Sequence, residues 1–169
     1  MKKHLQITLL AALGIAIGYQ THSLLKTEKP QKPTIPDIPV TMLDGTLTTI
    51  SRIGSNRHTV VFLMRSNCAF CKKETQQVRA HMDQFKDTEV VFVSFEDAEV
   101  IKKYKSEMFP EERPYINFVK APQKELEQFL EHKLVFPYML WYDKNGLQKA
   151  QHQGVFPVSR IIEVIQKTS

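Results

Sequence analysis

The chain has 169 residues, of which 42% are hydrophobic and 24% are charged. This composition is too apolar for an intrinsically disordered protein, and the length allows one globular domain with a single core. The formal net charge of +5 comes from lysines and arginines that are interleaved with acidic residues. Because no basic stripe stands out, we expect no nucleic acid partner.

Residues 1–25 have the features of an export signal. Lys2 and Lys3 precede an apolar run over residues 5–19, with no A-x-A-like cleavage site and no cysteine for lipid attachment after it. We interpret residues 1–25 as an uncleaved signal anchor, a single transmembrane helix in the cell membrane. The following domain is then expected on the extracytoplasmic (periplasmic) side. Residues 26–36 contain three prolines and are expected to form an extended linker.

Residues 37–169 are predicted to form one α/β domain. Short apolar and β-branched runs, two pairs of them joined by Asp-Gly or Asn-Gly, indicate strands and hairpins. The predicted strands are residues 40–43, 47–50, 59–64, 89–95, 115–119, 138–142 and 147–153. Apolar residues at helical spacing predict helices. These are residues 68–85, 97–108, 122–131 and the segment that begins at Pro157. The alternation predicts a central mixed sheet that is flanked by helices.

Cys68 and Cys71 are the two cysteines of the chain. A disulfide between them would close a loop too small to stabilise the fold much, so chemistry explains the pair better than stapling. Cys68 follows a predicted buried strand and begins a predicted helix, with Asn67 as the expected N-cap. The helix N-terminus and nearby Lys72 favour the thiolate, which is the species that attacks disulfides. We therefore expect Cys68 to attack and Cys71, one turn further on, to resolve the mixed disulfide.

Two cysteines at this spacing can also serve roles other than redox chemistry. A zinc site needs at least three protein ligands, and the chain has neither a second CxxC nor closely paired histidines, so we expect no metal and no cofactor. A peroxidatic cysteine is disfavoured because Arg65 stands where peroxidases have a threonine. Two thiolates do suffice for Cu(I), so a module that handles soft metals stays open. A docking domain with an incidental dithiol also stays open.

Glu74 is a further candidate for the site. It comes three residues after Cys71 and four before Val78, so it borders the apolar stripe of the predicted helix. A partly buried carboxylate at this position would have a raised pKa and could carry the proton of Cys71. The alternative is a solvated helix glutamate beside two lysines, and position alone does not decide between the two.

Several short motifs resemble those of a known protein family. They are Ile-Pro-Asp at 35–37, Leu-Asp-Gly at 43–45, Cys-Ala-Phe-Cys-Lys-Lys-Glu at 68–74, Phe-Pro at 136–137 and Tyr-Asp-Lys-Asn-Gly at 142–146. Together they resemble the TlpA-like branch of membrane-anchored thiol–disulfide oxidoreductases, in the redoxin or AhpC-TSA superfamily. The resemblance implies a thioredoxin-like fold with an N-terminal hairpin and an inserted strand–helix unit. It covers roughly residues 35–165.

The resemblance also implies an activity and two further site residues. Members of this branch exchange dithiol for disulfide with exported proteins, which predicts a role as a reductant supplied by a membrane or extracytoplasmic electron donor. Pro137 corresponds to the cis-proline that packs against the active disulfide, and a glutamate at the position of Glu74 is frequent. The sequence departs from the family pattern at Asn67, where a tryptophan is usual, and at Phe62, where thioredoxin has a buried aspartate.

Overall fold

The computed structural model describes residues 34–131 and 133–168. The predicted anchor at residues 1–25 and most of the predicted linker lie outside these residues. Within the described ranges no helix is both long and apolar enough to cross a membrane. The first described residues pair with the domain, because Thr34 forms a bridge with Leu147 and the Ile35 N–H donates to the Gly146 carbonyl at 2.9 Å.

Seven strands form one mixed sheet in the order β2-β1-β5-β4-β3-β6-β7. Their bounds are β1 Pro39–Met42, β2 Leu47–Thr49, β3 His58–Leu63, β4 Thr88–Ser94, β5 Ile116–Lys120, β6 Tyr138–Tyr142 and β7 Gln148–Gln153. The three central strands β3, β4 and β5 are parallel, and the remaining pairs are antiparallel. The predicted strands are therefore confirmed within one or two residues at each end, as is the mixed α/β sheet.

In the part of the chain that the structure describes, five helices accompany the sheet, namely α1 Ile50–Ile53, α2 Ala69–Ala80, α3 Ala98–Met108, α4 Gln123–Leu130 and α5 Val158–Thr168. The short α1 was not predicted; Thr49 caps it by accepting the Arg52 N–H at 3.3 Å. Two strand–helix units, β4–α3 and β5–α4, separate α2 from β6.

The prediction of one continuous helix over residues 68–85 was wrong. Helix α2 ends at Ala80, and a 3₁₀ turn, Met82–Phe85, follows it. The break lies at His81, whose ring Nδ1 contacts the Gln77 carbonyl at 2.9 Å. That carbonyl would otherwise accept the next α-helical N–H, so the side chain competes with the backbone and the helix tightens.

The centre of the sheet is buried on both faces. Every residue of β3 and β4 is buried, as expected for parallel strands that helices cover on two sides. Val60 and Phe62 of β3 point to the face that α2, α3 and α5 cover, and Val61 and Leu63 point to the face that α1 and α4 cover. The long apolar runs thus place the carboxyl end of β3, and the loop after it, at the rim of a rigid core.

Candidate active site

The loop after β3 delivers the two cysteines to the start of α2. Cys68 is the N-cap residue, with φ −89° and ψ 111°, and its Sγ accepts the Cys71 N–H at 3.1 Å. The prediction that Asn67 caps the helix was therefore wrong by one residue, because the sulfur occupies the position of a capping oxygen. A sulfur that faces the free N–H groups of a helix start is in surroundings that favour its anionic form once it is reduced.

Cys68 and Cys71 are joined by a disulfide, with their Cα atoms 5.2 Å apart. The two sulfurs differ in exposure, since Cys71 is 1% exposed and lies in the core, whereas Cys68 is only partly buried. Between them Phe70 is 63% exposed. A partner molecule can therefore reach Cys68 but not Cys71.

Glu74 lies in the interior, one helical turn after Cys71. It is 2% exposed, and its Oε1 accepts the Phe156 backbone N–H at 3.2 Å. Burial raises the pKa of Glu74 from 4.5 to about 7, and the hydrogen bond from Phe156 opposes part of that rise. The sequence left open whether Glu74 is buried or solvated, and in the structure it is buried.

Pro137 is brought to the same rim of the sheet as the cysteines. The Phe136–Pro137 peptide bond is cis, in agreement with the expectation from the resemblance. Tyr138 pairs with Leu63 in the antiparallel β3–β6 ladder, so Pro137 lies beside the segment that leads from β3 to Cys68. The Pro137 carbonyl accepts the Gly154 N–H at 2.8 Å, which ties this segment to the end of β7.

Glu96 belongs to the site and was not found from the sequence. Its carboxylate accepts the Ser66 N–H at 2.7 Å, the Ser66 hydroxyl at 2.8 Å and the Ser94 hydroxyl at 3.1 Å. Ser66 and Glu96 are 30 residues apart in the chain, and the in-register parallel pairing of β3 with β4 brings them together. The available signal was an acidic residue just past a buried strand, at the same rim as the cysteines.

Arg65 completes the loop before the cysteines. Its guanidinium carbon lies 5.5 Å from the centre of the Phe95 ring, a cation–π arrangement. The Phe95 ring in turn contacts Phe136, with 5.9 Å between ring centres. Hence the segments before Cys68 and before Pro137 are connected by side-chain contacts as well as by the sheet.

Within the residues that the structure describes, no group of three or more His, Cys, Asp or Glu side chains is placed to hold a metal ion. A site of two sulfur ligands, which suffices for Cu(I), is not addressed by that finding.

A mixed sheet with a CxxC-spaced disulfide at the start of the helix after a central strand defines a thioredoxin-like fold of the thiol–disulfide oxidoreductase kind. The family model described as AhpC/TSA family matches residues 32–155, which is close to three quarters of the chain. The chain belongs to this family. A search of curated protein sequences found no match.

Solved structures share this fold at low sequence identity. A thioredoxin domain of a thiol–disulfide oxidoreductase from Bacteroides vulgatus is 20% identical, with a TM-score of 0.63, over 83% of this chain and 99% of that one. A thiol:disulfide interchange protein from Bacteroides sp. is 21% identical, with a TM-score of 0.64, over 81% and 88%. A secreted disulfide oxidoreductase from Mycobacterium tuberculosis is 10% identical, with a TM-score of 0.63, over 78% and 96%. At these identities the likeness concerns the fold.

Proposed function

We propose that the protein is a membrane-tethered, extracytoplasmic thiol–disulfide oxidoreductase that exchanges dithiol for disulfide with exported proteins. The observation that carries the proposal is the difference between the two sulfurs of one disulfide at the start of α2. Cys68 is accessible and receives an N–H, whereas Cys71 is 1% exposed behind it. This is the arrangement that a nucleophile and a resolving thiol require.

The reaction transfers two electrons and two protons. In the reduced protein, the Cys68 thiolate attacks a partner disulfide, one new S–S bond forms, and the first partner sulfur leaves as a thiolate that takes up a proton. The Cys71 thiol then loses its proton and attacks the Cys68 sulfur, the bond between Cys68 and the partner breaks, and the second partner sulfur leaves as a thiolate that also takes up a proton. The partner disulfide is reduced to a dithiol and the Cys68–Cys71 disulfide is formed, with one of the two protons coming from Cys71 and the other from solvent.

Glu74 is the proposed proton acceptor for Cys71. It lies one turn further along α2 and is buried like Cys71. A carboxyl with a pKa of about 7 exchanges protons readily near neutral pH, which is what general acid–base work requires. We place Pro137 opposite this pair as the residue whose segment meets the partner chain.

The direction and the location complete the proposal. We propose that the protein acts as a reductant, recharged by a membrane or extracytoplasmic electron donor. Residues 1–25 are proposed as its single-pass anchor, residues 26–36 as the linker and residues 37–169 as the redox domain. The charged start and apolar core of residues 1–25 support an exported domain, and one structure of the same fold is described as secreted.

Trapping of partners tests the activity. In Cys71→Ser the resolving sulfur is absent, so a mixed disulfide formed at Cys68 should persist and accumulate. We expect membranes of cells that express this variant to contain adducts that disappear on reduction with dithiothreitol, seen by non-reducing electrophoresis.

Cys68→Ser is the matched control, because it keeps one cysteine but removes the accessible one. It should give at most a tenth of the adducts. Equal adduct levels for the two variants, or none for either, would rule out the assigned roles of the sulfurs.

A further inference from the structure

A groove of about 380 Å³ lies beside the disulfide, between the start of α2 and α3. Asn67 and Lys72 contribute to its α2 side. Val100, Lys103 and Glu107 contribute to its α3 side, and their spacing of three and four residues puts them on one stripe of that helix.

Three hydrogen bonds show which end of the groove lies nearest the disulfide. The bonds between Ser66 and Glu96 hold the start of α3 next to the loop that leads to Cys68. The Tyr104 hydroxyl donates to Thr75 Oγ1 at 2.9 Å, which joins the middle of α3 to the middle of α2. Val100 is therefore at the disulfide end of the groove, and Glu107 is at the far end.

The stripe presents a fixed order of side chains. Val100 is 41% exposed at the disulfide end. Along α3, Lys103 follows Val100 and Glu107 is last, and Lys72 faces the stripe from the first turn of α2. None of these three charged side chains forms an ion pair within residues 34–131 and 133–168. From Val100 to Glu107 the helix rises by roughly 10 Å, a length that about three extended residues span.

We propose that this groove binds the partner polypeptide next to its reacting cysteine and selects its sequence. The preferred segment carries an apolar residue nearest the cysteine, then acidic residues, then a basic residue. Those side chains match Val100, Lys103 and Glu107 in charge and order, and Lys72 adds a second positive charge on the α2 side of the groove. The proposal rests on the proposed function, since it concerns the partner that Cys68 attacks.

Synthetic peptides test the order of charges. Each peptide carries one cysteine in a disulfide with thionitrobenzoate, so attack by the Cys68 thiolate forms the protein–peptide disulfide and releases the coloured thiolate. The series compares Cys-Val-Glu-Glu-Lys with Cys-Val-Lys-Lys-Glu and includes the reversed orders, in which the segment precedes the cysteine. The reduced full chain is the enzyme, and bis(2-hydroxyethyl) disulfide is the uncharged reference substrate.

We expect the acidic-then-basic peptide to react about tenfold faster than its charge-reversed counterpart in one of the two chain directions, at low salt. Raising the ionic strength to about 0.5 M should reduce the ratio to less than threefold, because the charges are exposed and screened. Lys72 adjoins Cys71, so the variant is made at Lys103.

Lys103→Gln should lower the preference about threefold, and Lys103→Glu should abolish it or reverse it. Lys124→Glu is the matched control, since Lys124 is an exposed lysine of α4 on the other face of the sheet. It makes the same change in net charge and should leave the ratio within twofold of the parent.

The outcomes separate this inference from the proposed activity. If the uncharged disulfide is turned over and all peptides react at equal rates, the proposed role of the groove is refuted and the proposed activity is not. An equal loss of preference in Lys124→Glu and Lys103→Glu also overturns it, because the effect would then come from total charge. Failure to react with any disulfide, the uncharged one included, overturns the activity on which the inference rests.

Discussion

At the scale of single residues, Glu74 makes the stability of the protein depend on pH. Its pKa rises from 4.5 to about 7 in the folded chain because the carboxyl is buried, and the unfolded chain has the ordinary value. Between these values the folded state holds a proton that the unfolded state has released. The free energy of unfolding therefore falls as the pH rises through this window, by about 3 kcal/mol at most.

Glu74→Gln should remove this dependence. The amide keeps the shape of the side chain and an oxygen that can accept the Phe156 N–H, but it does not ionise. We expect urea unfolding of the oxidised variant to match the parent near pH 4 and to give up to about 3 kcal/mol more stability near pH 8.

Glu125→Gln serves as the control for that measurement, because Glu125 is exposed on α4. It should differ from the parent by less than about 0.5 kcal/mol at both pH values. A difference for Glu74→Gln that is the same near pH 4 and near pH 8 would contradict the titration of a buried carboxyl. Glu74→Gln should also slow the resolution of the mixed disulfide by Cys71 if Glu74 accepts the proton of Cys71.

At the scale of elements, the carboxyl ends of β3 and β4 are locked together by Glu96. Its carboxylate satisfies the Ser66 N–H and two serine hydroxyls, and it thereby fixes the loop that carries Cys68. We expect Glu96→Ala to lower the free energy of unfolding by about 1–3 kcal/mol, since it leaves these partly buried donors without an acceptor.

A double-mutant cycle isolates that contact. Ser66→Ala combined with Glu96→Ala should show a coupling of at least about 0.5 kcal/mol in urea unfolding. Glu99→Ala, which removes an exposed glutamate that pairs with Lys102 on α3, should cost less than about 0.5 kcal/mol. Strict additivity of the Ser66 and Glu96 changes would mean that the lock does not hold the loop.

The elements also mark the limit of what the sequence could predict. Strands β3 and β4 are continuous apolar runs, and the two hairpins have Gly at positive φ, Gly45 at 93° and Gly146 at 74°; such local signals predicted them well. The end of α2 at His81 was missed because a side chain takes a backbone carbonyl there, which hydrophobic spacing does not report. Strand order was also beyond the sequence, since β1 and β5 pair across the length of the domain.

Some residues of the site could likewise be predicted from local sequence patterns, and others could not. Cys68 and Cys71 were found because three-residue spacing at a strand–helix junction is a local pattern. The role of Glu96 was not predicted because its partner Ser66 is 30 residues away in the chain. The burial of Glu74 depends on the segment at Phe156, which packs over α2 from the far end of the chain, so only the folded structure could decide it.

At the scale of the whole molecule, the proposed direction of electron flow makes a prediction about the redox potential. A strongly oxidising couple requires a stabilised reduced form. In this fold the Cys71 sulfur is buried with Glu74 one turn away, which disfavours a second thiolate. We expect equilibration with glutathione to give a potential nearer to the −270 mV of thioredoxin than to the −120 mV of DsbA, roughly −200 mV or lower.

Glu74→Gln gives this measurement an internal comparison. Removing the negative charge near the sulfurs should favour the reduced form above pH 7 and raise the potential by roughly 30 mV, while leaving it unchanged near pH 5. A parent potential near −120 mV would contradict the role as a reductant and would indicate an oxidant.

The proposed anchor at residues 1–25 precedes the described domain at the end of the sheet opposite the cysteines. Thr34 pairs at the β6–β7 turn, whereas the cysteines lie at the other end of the sheet, where β6 begins opposite Leu63. The N-terminal end of the described domain, at Thr34, therefore lies away from the disulfide. An alkaline phosphatase fused after residue 169 should be active in a bacterial host, because that enzyme needs the oxidising exterior, and it should stay in the membrane pellet after carbonate extraction. The same fusion without residues 2–25 should be inactive and should move to the supernatant.

An active fusion that carbonate releases would show that residues 1–25 are cleaved after export. An inactive full-length fusion would place the domain in the cytoplasm and refute the proposed location.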